Sequence, residues 1–155
     1  MEPKVVKVEA MRLAGALLKT SLTEMSLSNP IPVFWSLVFT DGRHAKLKKL
    51  KGRCKADYGV CIMGEDDETM NYMIAVTPKK NATIPMEFHT CEIPVGEYLV
   101  VETTITTLGE AWMKINQWLD ENGYTIAHGT SFEFYDERMR GEDMTFDIYA
   151  PIVKV

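Results

Sequence analysis

Two periodicities run through this chain. Over Leu108, Ala111, Trp112, Ile115, Trp118 and Leu119, apolar residues recur three and four apart, which predicts a helix over Leu108–Glu121 with one continuous apolar stripe. Thr107 with Glu110 three residues on reads as a capping box at its start, and Gly123 stands where a helix commonly stops. A second helix opens at Asn29-Pro30, with Asn29 as cap and Pro30 as first helical residue. Ile31, Phe34, Trp35 and Val38 keep helical spacing from there until Asp41-Gly42 ends it. The basic run Arg43–Arg53 adds a further turn or two of helix.

Elsewhere the period is two, or the composition is that of strands. Val5–Val8 continuing through Arg12–Lys19 predicts one first strand bent at Gly15, followed by a polar stretch, Thr20–Asn29, full of cap and turn residues. Asp57–Met63 and Met70–Thr77 flank an acidic turn, and Met86–Ile93 and Glu97–Ile105 flank a break at Pro94-Val95-Gly96. The most regular alternation comes last. Phe132 and Phe134 fall on one side of an extended chain, with Glu133 and Tyr135 on the other. Thr145–Pro151 repeats the pattern, with Phe146 and Ile148 opposed to Asp147 and Tyr149. A hairpin centred near Gly141 sets Glu133 across from Tyr149 and Tyr135 across from Asp147, so that one face is apolar and the other mixes carboxylates with phenols.

The two halves share an order of elements: strand, helix, then two strands joined by an acidic turn. Tyr58 and Tyr72 on the first hairpin correspond to Tyr135 and Tyr149 on the second. This predicts an α+β fold of duplicated βαββ modules, about 1–80 and 81–155, within one domain. A pseudo-twofold axis relates the modules, which share an antiparallel sheet with two main helices on one face and a ligand groove between the halves.

Composition narrows the partners. A chain of 155 residues with 46% hydrophobic content buries a core of single-domain size. The net charge of −5 argues against a nucleic-acid partner, and Arg43–Arg53 reads as a solvated face. Cys54, Cys61 and Cys91 lack metal-binding spacing and read as reduced thiols of a cytoplasmic protein. His44, His89 and His128 are scattered singly, so no metal or other cofactor is expected. The first residues have no uninterrupted apolar core of a signal peptide, and the longest apolar run, Ile31–Phe39, is too short to span a bilayer.

Six stretches, in order along the chain, resemble a known family. They are Met11-Arg12-Leu13-Ala14-Gly15, Ile31-Pro32-Val33-Phe34-Trp35, Asp57-Tyr58-Gly59-Val60, Ile93-Pro94-Val95-Gly96-Glu97-Tyr98, Phe132-Glu133-Phe134-Tyr135 and Phe146–Ile152. Together they are similar to the GyrI-like small-molecule-binding domain, the effector-binding domain of AraC-type and MerR-type transcription regulators. The resemblance implies a cavity between the modules with a glutamate on its floor that meets lipophilic cations; that position is Glu133. Regulators of this kind carry a DNA-binding unit in front of the domain, and here the chain starts directly at the first strand, which implies a stand-alone form.

Alternation alone leaves Glu133 open to a blander role, a solvated residue on a half-exposed sheet; the resemblance favours the pocket. Tyr149, expected on the same face, and Tyr58, its counterpart on the first hairpin, are candidates to touch Glu133 or ligand, and each could equally cap the core. Of Phe34 and Trp35, one faces the cleft and the other is core. Trp112 and Trp118 lie on the core stripe, Trp112 nearer the groove, and Tyr135 shares the face of Glu133. Three functions follow: a sensor or sequestering protein for amphipathic cations; a hydrolase of electrophilic compounds with Glu133 as general base; or a protein-interaction module of the gyrase-inhibitor kind. A homodimer or protein partner is compatible with each.

Overall fold

The computed structural model describes residues 2–155. The strands are β1 (Lys4–Val8), β2 (Met11–Ser21), β3 (Asp57–Met63), β4 (Thr69–Val76), β5 (His89–Ile93), β6 (Gly96–Thr103), β7 (Tyr124–Ile126), β8 (Thr130–Tyr135) and β9 (Phe146–Lys154). The helices are α1 (Leu22–Leu27), α2 (Ile31–Thr40), α3 (Arg43–Leu50) and α4 (Leu108–Asn122). All strands join one antiparallel sheet in the order β1-β6-β9-β8-β3-β4-β2-β5, with β7 added to β9. Read outward from its centre, the order is the same in both directions: β8, β9, β6, β1 on one side and β3, β4, β2, β5 on the other. This is the duplicated α+β architecture the repeat predicts, with one refinement. The opening strands are exchanged, β1 pairing with β6 of the second half and β5 with β2 of the first.

The sheet is buried on both faces, as its apolar content requires. On one face α2 and α3 cover Ala16, Tyr72, Ile74 and Val76, while α4 lays Ala111, Ile115 and Leu119 on Leu99, Val101, Phe146 and Ile148. The other face curls on itself, so that Leu13 and Ile93 from one flank and Tyr98 from the other share a cluster with Tyr58, Val60 and Phe132.

Several local expectations need correction. The long first strand is two strands, because its opening residues leave to pair with β6. Gly15 is not a bend; the Ile74 carbonyl lies so close that no Cβ would fit there. The polar stretch after β2 holds the short helix α1, and the strand expected from Met86 begins only at His89. The capping box sits one turn early: Thr107 gives α4 no side-chain cap, and it is Thr104 and Thr107 that close a box around the 3-10 turn Ile105–Thr107. Asn29 does accept from the Ile31 N–H (3.0 Å), although the helix starts one residue later than expected.

The hairpin register is the correction that matters for the site. A ten-residue connection containing a 3-10 turn at Glu137–Arg140 joins β8 to β9, and it places Phe132 opposite Tyr149, Glu133 opposite Ile148 and Phe134 opposite Asp147. A shift of one residue exchanges the faces. Tyr149 and Asp147 therefore stand with Phe132 and Phe134, and the face of Glu133 carries Phe146 and Ile148.

Candidate ligand-binding site

Glu133 lies at the seam between the two halves. β3 and β8 are the central pair of the sheet, and Gly59 on β3 is the cross-strand partner of Glu133 on β8. A Cβ on residue 59 would collide with the Tyr72 hydroxyl and with Glu133 Oε1, so glycine is what leaves room for the acid. Into that room Tyr72 Oη donates to Glu133 Oε1 at 2.9 Å, and Tyr135 Oη donates to the same oxygen at 2.7 Å. Trp35 Nε1 in turn donates to Tyr72 Oη at 2.8 Å. The rings enclose the acid from both halves: Trp35 meets Tyr135 edge-on at 5.3 Å and stacks on Phe39 at 6.0 Å, while Tyr135 leans on Phe146 at 4.7 Å.

The electrostatics follow from that enclosure. Glu133 is half-buried, and loss of hydration raises its carboxyl above the ordinary range; the hydrogen bonds from Tyr135 and Tyr72 pull it back only in part. Burial, and then the neighbouring carboxylate, push both phenols up, so they remain protonated donors. Burial and the same carboxylate push up the adjacent Cys61 thiol, which stays neutral.

Beside the cage, past the ring of Tyr135, lies a hollow of about 450 Å³ bounded by Phe39, His44, Asp57, Tyr135, Asp136 and Met139. At its rim Asp57 meets His44 Nε2 at 3.0 Å and the buried Lys51 ammonium at 3.0 Å. Burial works to raise the Asp57 carboxyl, but His44 and Lys51 outweigh it and hold it low.

Residues 4–152 match the model of the Cass2 family, described as integron-associated effector binding protein. The chain belongs to that family. Among solved structures, SAV2435 bound to tetraphenylphosphonium superimposes with a TM-score of 0.82 at 22% identity, over 99% of this chain and 94% of that one. A putative transcription regulation protein from Staphylococcus aureus gives 0.78 at 22% identity, over 100% and 99%. The integron cassette protein of Vibrio cholerae gives 0.71 at 12% identity, over 98% and 96%. No curated protein matches. The fold is thus the GyrI-like one, and the chain is an effector-binding domain.

Within this Cass2-family chain the predicted site residues separate into two groups. Glu133, Tyr135 and Trp35 come together in the cage. Trp112, on α4, is half-buried on the same face, packed against the cluster that includes Phe146. Phe34 is core, 7% exposed, whereas Trp35 reaches Tyr72 in the cage. Tyr58 and Tyr149 are corrected to the opposite face. Tyr149 stacks on Phe132 at 4.5 Å, and the Tyr58 hydroxyl lies between Cys54 (3.6 Å) and Met11 (3.9 Å), so neither meets Glu133. The residue that sequence reasoning missed is Tyr72. Its signal was present in Gly59: a glycine inside an otherwise apolar strand marks a close approach, and here Tyr72 and Glu133 make that approach together.

Proposed function

We propose that this chain binds amphipathic cations at Glu133, in a sensing or sequestering role. The observation that carries the reading is the carboxylate itself: half-buried, raised in pKa, enclosed by rings and without a cationic partner among the described residues. Such an acid is poorly solvated when ionised, and a bound cation restores the lost stabilisation. The half-buried rings of Trp35 and Tyr135 add cation–π attraction of roughly 0.5–2 kcal/mol each, while Tyr72, fully buried, acts through its hydroxyl. Trp35 and Phe39 continue the aromatic wall to the neighbouring hollow, which has the size of a small-molecule site and suits the apolar body of such a ligand. That SAV2435 was solved with a phosphonium cation supports the same class of ligand for this chain.

Binding is favoured over turnover. Cys61, the thiol beside Glu133, is held neutral, and the family description is effector binding. Titration of tetraphenylphosphonium against the protein and against Glu133→Gln tests the proposal. We expect the variant to bind about tenfold or more weakly, in line with loss of a charge partner. Undiminished binding by a folded variant overturns it.

A further inference from the structure

The hydrogen bonds inside the cage are distributed unevenly, and this bears on which cations fit. Both phenols donate to Oε1 of Glu133, at 2.9 and 2.7 Å, and two donors match the ordinary acceptor capacity of one carboxylate oxygen. Oε2 accepts no hydrogen bond from any described residue. It is also not fully buried: among the described residues, the one fully buried side-chain oxygen or nitrogen without a well-aligned hydrogen bond is Oδ1 of Asp57, which has the Lys51 ammonium at 3.0 Å. Oε2 therefore keeps some exposed area, with its acceptor capacity unused.

The surrounding donors are already committed. Trp35 Nε1–H goes to Tyr72, Tyr72 O–H goes to Glu133, and Tyr135 O–H goes to Glu133. No hydrogen of these three side chains remains for a ligand. The cage thus offers ring faces and a single strong, charged acceptor, and no donor.

From this inventory we infer that the site selects cations bearing an N–H bond, protonated amines, over quaternary cations of matching shape. The inference rests on the reading of Glu133 as the cation's partner and adds the chemistry by which it chooses. A protonated amine places its N–H on Oε2 and gains a charge-assisted hydrogen bond. A quaternary cation keeps the ring contacts and the Coulombic attraction but has no hydrogen to give. Net values for hydrogen bonds to charged groups correspond to about a tenfold preference or more.

The test is a matched pair, 9-(dimethylaminomethyl)anthracene, protonated near neutral pH, and its N-methylated trimethylammonium derivative, titrated by fluorescence at pH 7. We expect the amine to bind the wild-type protein about tenfold or more tightly, and Glu133→Gln to weaken both and erase most of the difference. Equal affinities, or a tighter quaternary ligand, with both still dependent on Glu133, overturn the selectivity and leave the cation site standing. Binding of both that is indifferent to Glu133→Gln in a folded variant overturns the underlying reading, and the selectivity with it.

Discussion

Glu133 costs the fold something at neutral pH. Its carboxyl titrates higher in the folded chain than in the unfolded one, so its favourable contribution is complete below the unfolded pKa and is lost as pH rises through the folded value. Glu133→Gln keeps an acceptor for the phenols and removes the ionisation. The variant should therefore be more stable than the wild type at pH 7–8, with the difference shrinking toward pH 4; thermal melts across that range check it, and a variant less stable at pH 8 than at pH 4 relative to wild type contradicts it. Gly59→Ala forces a methyl into Tyr72 and Glu133, and overpacking of this kind costs about 1–3 kcal/mol. We expect loss of stability and of cation binding together, read by denaturant unfolding and ligand titration. Tyr72→Phe removes a donor to Glu133 and the acceptor of Trp35 Nε1–H, and should cost about 1–3 kcal/mol. Of these residues the alternation of Phe132–Tyr135 exposed Glu133 and Tyr135. Tyr72 was hidden because its approach to Glu133 spans sixty-one positions of sequence and passes over the intervening strand β3.

At the scale of elements, the strands and long helix were legible to within a few residues because periodicity is local. The register of β8 with β9 was not, since it depends on how the connecting loop folds. That loop is fastened by Arg138, whose Nη1 donates to Glu102 (2.9 Å), whose Nη2 donates to Asp147 (2.8 Å) and whose Nε donates to Asp136 (2.8 Å). The guanidinium bridges β6, β9 and the loop itself, and so fixes the end of β8 where Tyr135 stands. Arg138→Met should destabilise by about 1–2 kcal/mol, a modest figure because the cluster is only half-buried. The Arg138 hydrogen bond depresses the Asp136 carboxyl, so this part of the stability is present at neutral pH and is lost as pH falls through the depressed folded value. The penalty of Arg138→Met should accordingly shrink on strong acidification, and a penalty unchanged from pH 7 to pH 2 contradicts the role.

For the molecule as a whole, the repeat of strand, helix and hairpin foretold the duplicated sheet. The exchange of β1 and β5 between halves was not readable, because nothing local to Lys4–Val8 or His89–Ile93 says which half each edge strand pairs with. Duplication has a functional consequence: the seam between β3 and β8 is where both halves can contribute rings to one acid, Trp35 and Tyr72 from the first and Tyr135 from the second. A ligand held there should stabilise the fold by mass action, by about 2.7 kcal/mol at a hundredfold excess over its Kd.

The central claim is that a cation binds by keeping Glu133 ionised. Binding must then lower the raised pKa of that carboxyl, releasing protons wherever the free protein is partly protonated. Calorimetric titration of tetraphenylphosphonium in buffers of different ionisation enthalpy, repeated from pH 5 to pH 8, measures that proton. The account predicts release on binding, greatest at a pH above the ordinary carboxylate range and absent in Glu133→Gln. Saturable binding with no proton released at any pH, or with the same release from the variant, would contradict it.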